Sequence, residues 1–207
     1  MKLRKLMIVA VLSAIAFTSC EDNKKKEQEE KDKMEMQRME AEREAEMKAN
    51  EERMQMESNS IASKAMATAE LSTLVSALKS AELAQMMKED EGPFTVFAPT
   101  DDAFAKVPKA TLDELMMPEN KEKLQTVLKY HVVQDSITSD MLAKWIKDNN
   151  GSYVMKTVEG ADLTAMMSGE NIVLKDGNGK TSTIVKPDIQ ASNGVVHEID
   201  AVVMKKS

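Results

Sequence analysis

The sequence predicts an α+β domain carried on a charged helical stalk, and three observations lead to that class. Apolar residues recur at helical spacing through the first half of residues 61–207, and after Gly151 they give way to short β-branched runs bounded by turn residues. Ahead of them, residues 21–60 hold neither glycine nor proline and interleave acids with bases. Charge divides the chain the same way, with +3 on residues 1–19, −5 on residues 21–60 and −5 on residues 61–207. The last segment carries 16 lysines and no arginine against 21 acids, so it lacks the clustered Lys and Arg that phosphate backbones attract. Nucleic acid is excluded as an expected partner.

Residues 1–19 have a basic start at Lys2, Arg4 and Lys5, an apolar run from Leu6 to Phe17, and small Thr18-Ser19 before Cys20. This is the layout of a cleaved secretory signal. A membrane-spanning helix needs about 20 apolar residues, more than this run supplies. Cys20 is the chain's only cysteine and stands at the cleavage point, so it resembles the lipobox cysteine of bacterial lipoproteins, with Phe17 where Leu is general. Cys20 is therefore the candidate lipidation site, and the expected partner is a membrane reached through a lipid anchor. An ordinary secretion signal with an incidental cysteine is the other reading. With no second cysteine to form a staple, the domain must stand on its core.

Residues 20–60 form the spacer behind that anchor. Opposite charges stand four apart at Glu27/Lys31, Glu29/Lys33, Lys31/Glu35, Arg38/Glu42 and Glu44/Lys48, each pair adding about 0.2–0.5 kcal/mol to a helix. The residue types have high helix propensity, which predicts a solvated helix over 27–56. At about 1.5 Å per residue, it holds the domain roughly 45 Å from the lipid. Met47 and Met54 are seven apart, but Glu40 and Arg43 interrupt the heptads, so no coiled-coil seam is sustained. A monomeric stalk, partly helical and partly disordered, is the expectation; weak oligomerisation through the methionines is its alternative.

Within residues 61–207, Leu71, Leu74, Val75 and Leu78 share a helical face. Thr111-Leu112-Asp113-Glu114 reads as a capping box opening a helix that buries Leu112, Leu115 and Met116. Leu124, Val127 and Leu128 mark a further helix, and Leu142, Trp145 and Ile146 a short one ended by Asn149-Asn150-Gly151. Strands are predicted over 153–158, 162–166, 171–175 and 181–186, with Asp176-Gly177-Asn178-Gly179 as a hairpin turn. The runs 94–98 and 195–204 join the same sheet system, the latter behind the Ser192-Asn193-Gly194 turn.

Three blocks in order, Gly92–Phe104 (GPFTVFAPTDDAF), Tyr130-His131-Val132-Val133 and Pro187–Met204, resemble the fasciclin domain. The resemblance covers residues 61–206 and takes in Glu70–Met87 and Ala110–Leu128; Leu71 stands where the family often has Phe, and Glu82 where it often has Gly. It implies a single β-sandwich or wedge with helices packed along one side, preceded here by the stalk. It also implies adhesion, since fasciclin domains occur in surface and matrix proteins. In some animal members a Glu-Pro-Asp-Ile-Met segment and the Tyr-His motif are implicated in integrin binding. This chain has Lys186-Pro187-Asp188-Ile189-Gln190, so the position carries over and integrin recognition does not. Pro187, Asp188 and Ile189, in a predicted exposed loop, are thus candidate partner-binding residues. Tyr130 and His131 join them, with a place in the core as their alternative.

No catalytic site, cofactor or metal is predicted. His131 and His197 are flanked by valines typical of a buried strand and have no second His or Cys at ligand spacing, so both read as satisfied structural histidines rather than metal ligands or a general base. The 176–187 segment ends in Pro187 where a calcium loop requires Glu. No Gly-x-Ser-x-Gly elbow or phosphate loop is present, and Asp101 and Asp102 follow Thr100 as a helix cap with complementary charge. The expected function is a non-catalytic module, anchored at the bacterial cell envelope, that recognises a protein or glycan. A small-ligand carrier or enzyme with an apolar pocket between helices and sheet is the rival.

Overall fold

The computed structural model describes the backbone of residues 3–83 and 92–206, and side chains from residue 25 onward within that set. Expectations for the signal segment and Cys20, and the stretch 84–91, lie outside the described side chains. Contacts divide the chain into Met1–Arg53 and Met54–Ser207. The first unit consists of helix α1 (Leu3–Ser58), which crosses the boundary by its last turn. Every side chain from 25 to 53 is exposed, including Met34, Met36, Met39 and Met47, and Arg38 Nε donates to Glu42 Oε1 at 3.2 Å. The charged helix read from the sequence is present.

The second unit holds helices α2 (Ile61–Ala67), α3 (Ser72–Ser80), α4 (Asp101–Ala105), α5 (Lys109–Leu115), α6 (Lys121–Tyr130) and α7 (Ser139–Asp148). Its strands are β1 (Phe94–Pro99), β2 (Val132–Val133), β3 (Ser152–Lys156), β4 (Asp162–Ser168), β5 (Asn171–Lys175), β6 (Thr181–Ala191) and β7 (Gly194–Ile199). They form one sheet in the order β2-β1-β7-β6-β5-β4-β3, antiparallel throughout except for the parallel β1–β7 pair. A Val133–Thr157 bridge and the Val158 N–H donating to Val132 O at 2.7 Å bring the two ends together, so the sheet curls into a near-barrel.

Alternation along β1 and β7 builds two cores from one strand pair. Val96, Ala98 and Val196 face the helices, packing with Ile61, Leu71, Leu74, Leu78, Leu124 and Leu128. Phe97 and Ile199 face the other way, into a core of Tyr130, Leu142, Ile146, Leu163, Leu174 and Ile184. The turn between β6 and β7 ties down the start of the domain: Asn193 Oδ1 accepts from Ile61 N at 2.8 Å, Ser192 N–H donates to Asn59 O at 2.9 Å, and Ser192 Oγ donates to Met56 O at 2.6 Å. Gly194 is obligatory there, because a Cβ on it would lie 1.8 Å from Phe94 O.

Three elements differ from their sequence-based placement. The helix predicted from a Thr111 capping box starts earlier, at Lys109: Pro108 occupies the N-cap position and its carbonyl receives the Thr111 and Leu112 N–H groups, which leaves Thr111 inside the helix. Leu112, Leu115 and Met116 are only partly buried. His131, flanked by valines and read as a strand residue, is the C-cap of α6, and the strand behind it is two residues long. The last strand ends at Ile199, short of the predicted 204.

Glu82, at the position where the resemblance expects glycine, has φ +56°. That left-handed conformation costs a side-chain-bearing residue about 1–2 kcal/mol. Its ion pair with Lys121, 2.6 Å but largely exposed on the Glu82 side, offsets little of this. Glu82→Gly is therefore expected to raise the urea midpoint, by up to about 1 kcal/mol of stability; a lower midpoint contradicts the strain.

Candidate functional site

Tyr130 and His131 sit at the end of α6 because the helix's buried face, Leu124 and Leu128, continues into the domain interior. Both are buried, at 0 % and 2 % exposure, which supports the core alternative over direct contact with a partner. Tyr130 Oη donates to Asp162 O at 2.7 Å and accepts from Gly177 N at 3.1 Å, stapling α6 to β4 and to the β5–β6 hairpin. Burial pushes the phenol's pKa up. The hairpin's Asp176 is consumed by its own turn, accepting from Asn178 N and Lys180 N through one oxygen and from Met204 N through the other.

His131 uses both ring nitrogens. Nδ1–H donates to Val127 O at 2.7 Å, and Nε2 accepts from the Val203 N–H at 3.3 Å. A protonated ring would lose the second bond and hold a charge in an apolar core. Burial accordingly lowers the His131 pKa to about 4, against a weaker upward effect of the Val127 carbonyl.

His197, on β7, is bound the same way. Nε2–H donates to Ile137 O at 2.8 Å, Nδ1 accepts from the Asp188 N–H at 3.2 Å, and the ring stacks on Phe97 at 5.6 Å. Burial lowers its pKa, opposed by the bond to Ile137 and by the Asp188 carboxylate. Neither imidazole has a free lone pair with which to bind a metal or accept a proton.

Asp188 departs most from expectation. Residues 187–189 are not an exposed loop but a bulge within β6, between the Lys186–Glu198 and Ile189–Val196 pairs. Asp188 takes φ +60° and turns its half-buried carboxylate onto the start of α7, accepting from Ser139 N at 2.8 Å and from Ser139 Oγ. It is a clamp between the bulge, His197 and the helix N-terminus. Ile189 is half-buried against the helix-side core. Pro187 alone of the three is exposed, on a shallow depression of about 300 Å³ lined also by Ser139, Ala143, Met167 and Ile184. The three neighbours in sequence thus enter three environments.

Thr100 caps α4 by accepting from Ala103 N at 3.2 Å, as its sequence context predicts. Asp101 crosses instead to α3, accepting from Ser72 Oγ and Thr73 N at 2.7 Å each. Burial pushes its carboxyl up, but these bonds outweigh burial and hold the pKa below the ordinary value. Beside it opens a groove of about 970 Å³, walled by Ala69–Glu70, Thr100–Asp102 with Lys106, and Val185–Lys186, and reaching Asp200. Glu198 of β7, 2 % exposed, also lines it. Sequence reasoning did not single out Glu198; its signal was one acid inside the apolar run Val195–Ile199.

The fasciclin domain family matches residues 69–205. Protein sll1483 of a Synechocystis strain is 41 % identical over 137 residues, covering 64 % of this chain and 66 % of that protein. Cell surface glycolipoprotein MPB83 of Mycobacterium bovis is 30 % identical over 152 residues, covering 72 % and 62 %. Among solved structures, a FAS1 domain pair from the insect cell adhesion molecule fasciclin I superposes with TM-score 0.64 at 19 % identity, covering 71 % of this chain and 51 % of that one. Each match leaves part of the relative's own length uncovered.

Two outcomes follow from these bonds. Because the folded pKa of His131 is depressed, its contribution is fully present above pH 6.5 and is lost as pH falls toward about 4, where the unfolded chain takes a proton that the folded chain refuses. Urea midpoints should fall across that window by the equivalent of about 3 kcal/mol, and less in His131→Gln; a flat profile contradicts the neutral buried ring. Asp188→Ala loses two hydrogen bonds and places alanine in the left-handed region, so it should cost about 2–3 kcal/mol, with Asp188→Asn recovering part. An unchanged melt would return Asp188 to the free surface.

Proposed function

The chain belongs to the fasciclin domain family, and on that premise we propose that it is a non-catalytic binding module held at a bacterial cell envelope by a lipid on Cys20. The observation that carries the reading is the commitment of the reactive side chains. Both nitrogens of His131 and His197, the Tyr130 hydroxyl and the Asp188 carboxylate are spent on internal bonds, which leaves none of these groups free to turn over a substrate.

Cavity size argues against a carrier. Among the described residues, two narrow apolar spaces that His131 lines have volumes of about 20 Å³ each, room for a water and not for a ligand. The roomier concavities described are open to the surface, where a rigid scaffold presents side chains to a macromolecule. A relative named for a cell surface supports an envelope location. Protein or glycan is the proposed ligand class, and the module acts as a monomer.

Beads coated with the mature chain through residue 20 should show saturable adhesion to purified envelope or matrix proteins, or to glycans, competed by soluble protein. Turnover of a small substrate without saturable adhesion would overturn the reading. Cys20→Ala should move the protein from the membrane fraction to the soluble fraction after a high-salt wash, with its melt unchanged; retention in the membrane contradicts the lipid anchor.

A further inference from the structure

The groove beside α4 joins a charge imbalance to a buried acid. Its walls and floor present Glu70, Asp101, Asp102, Glu198 and Asp200 against Lys106 and Lys186. Two of these acids are already engaged: Asp101 binds the start of α3, and Asp200 accepts from Thr183 N and from Lys106. Glu70 and Asp102 are exposed on the rim.

Glu198 lies deepest. It sits on the side of β7 that faces the helices, as Val196 does, and its Oε1 is buried without a hydrogen-bond partner. Lys186 Nζ is 3.2 Å from that oxygen, near enough for attraction but without hydrogen-bond alignment, and is shared with Glu70 at 4.0 Å. The lysine side chain is 54 % exposed, so it can swing aside without disturbing the core. A buried carboxylate with an unmade hydrogen bond is expensive, and a better-fitting donor relieves that cost.

We propose that this groove receives an arginine side chain of a protein partner, its guanidinium replacing the Lys186 ammonium on Glu198. A planar guanidinium offers parallel N–H donors to a carboxylate, which the point charge of an ammonium does not match. Ala69 and Val185 on the walls accommodate its aliphatic stem, and Asp102 and Glu70 at the rim attract the cation. The inference rests on the binding-module reading and gives that module's partner a chemistry.

The test uses the folded chain and a capped Ala-Arg-Ala peptide, with the citrulline peptide as its neutral isostere, followed by amide chemical shifts. The arginine peptide should bind saturably, shifting Val185, Lys186, Glu198 and Asp102, and should bind at least tenfold more tightly than citrulline. Glu198→Gln should weaken it about tenfold and Asp102→Asn about threefold, while Glu114→Gln, away from the groove, leaves it unchanged. Lys186→Ala should tighten binding several-fold by removing the internal competitor, an effect that a purely structural Glu198 would not produce. Equal binding of citrulline, shifts confined to other surfaces, or weaker binding in Lys186→Ala would overturn the proposal. Should Glu198→Gln fail to fold, Asp102→Asn and Lys186→Ala decide it. Saturable adhesion of coated beads without arginine binding would sink this inference alone; loss of adhesion as well would sink the module.

Discussion

The structure depends on the parallel pairing of β1 with β7. These strands meet over six residue pairs, Phe94–Gly194 to Pro99–Ile199, and the last five residues of each are buried on both faces. A strand pair buried on both faces belongs to two cores at once, so displacing it removes apolar contacts from the helix layer and from the barrel interior together. The approach of the two backbones sets the terms for the ends: Gly194 has no room for a Cβ, and the 192–193 turn ahead of it anchors the last turn of α1 and the start of α2.

That arrangement also governs the polar residues. His197 follows Val196 and so points into the barrel core, where it bonds Ile137 and the Asp188 backbone. Its link to Asp188 fixes the β6 bulge, and the bulge aims the Asp188 carboxylate at α7. One residue further on, Glu198 returns to the helix side and lines the groove. Adjacent residues of one strand thereby serve opposite ends, His197 holding the barrel core and Glu198 lining the groove on the helix side, because side chains alternate along β-structure.

Much of this was legible in the sequence. The charged stalk, the Thr100 cap, the helical faces of Leu71–Leu78 and Leu124–Leu128, the helix ended by Asn149-Asn150-Gly151, and the β5–β6 hairpin follow from periodicity and turn residues acting locally. The errors share a cause. Pro187-Asp188 has the chemistry of a turn, and nothing local distinguishes a loop from a bulge whose residue is held in the left-handed region by a bond to a helix 49 positions away. Val132-Val133 reads as the heart of a strand, yet α6 runs on through Tyr130 because that ring has a buried socket between Asp162 and Gly177. Pro108 outcompetes Thr111 as a helix start because its fixed φ and its free carbonyl already suit the position. In each case a long-range contact or a backbone constraint overrode a plausible local signal.

Through their pairing, β1 and β7 join both cores into one cooperative unit. Native-state amide hydrogen exchange under graded denaturant measures this directly. The account predicts that the amides of Phe97 and Val196, together with Leu128 in the helix layer and Leu174 in the barrel, exchange only through global unfolding, with one common free energy. Exchange of the helix-side amides through a smaller opening, while the barrel amides stay protected, would contradict it.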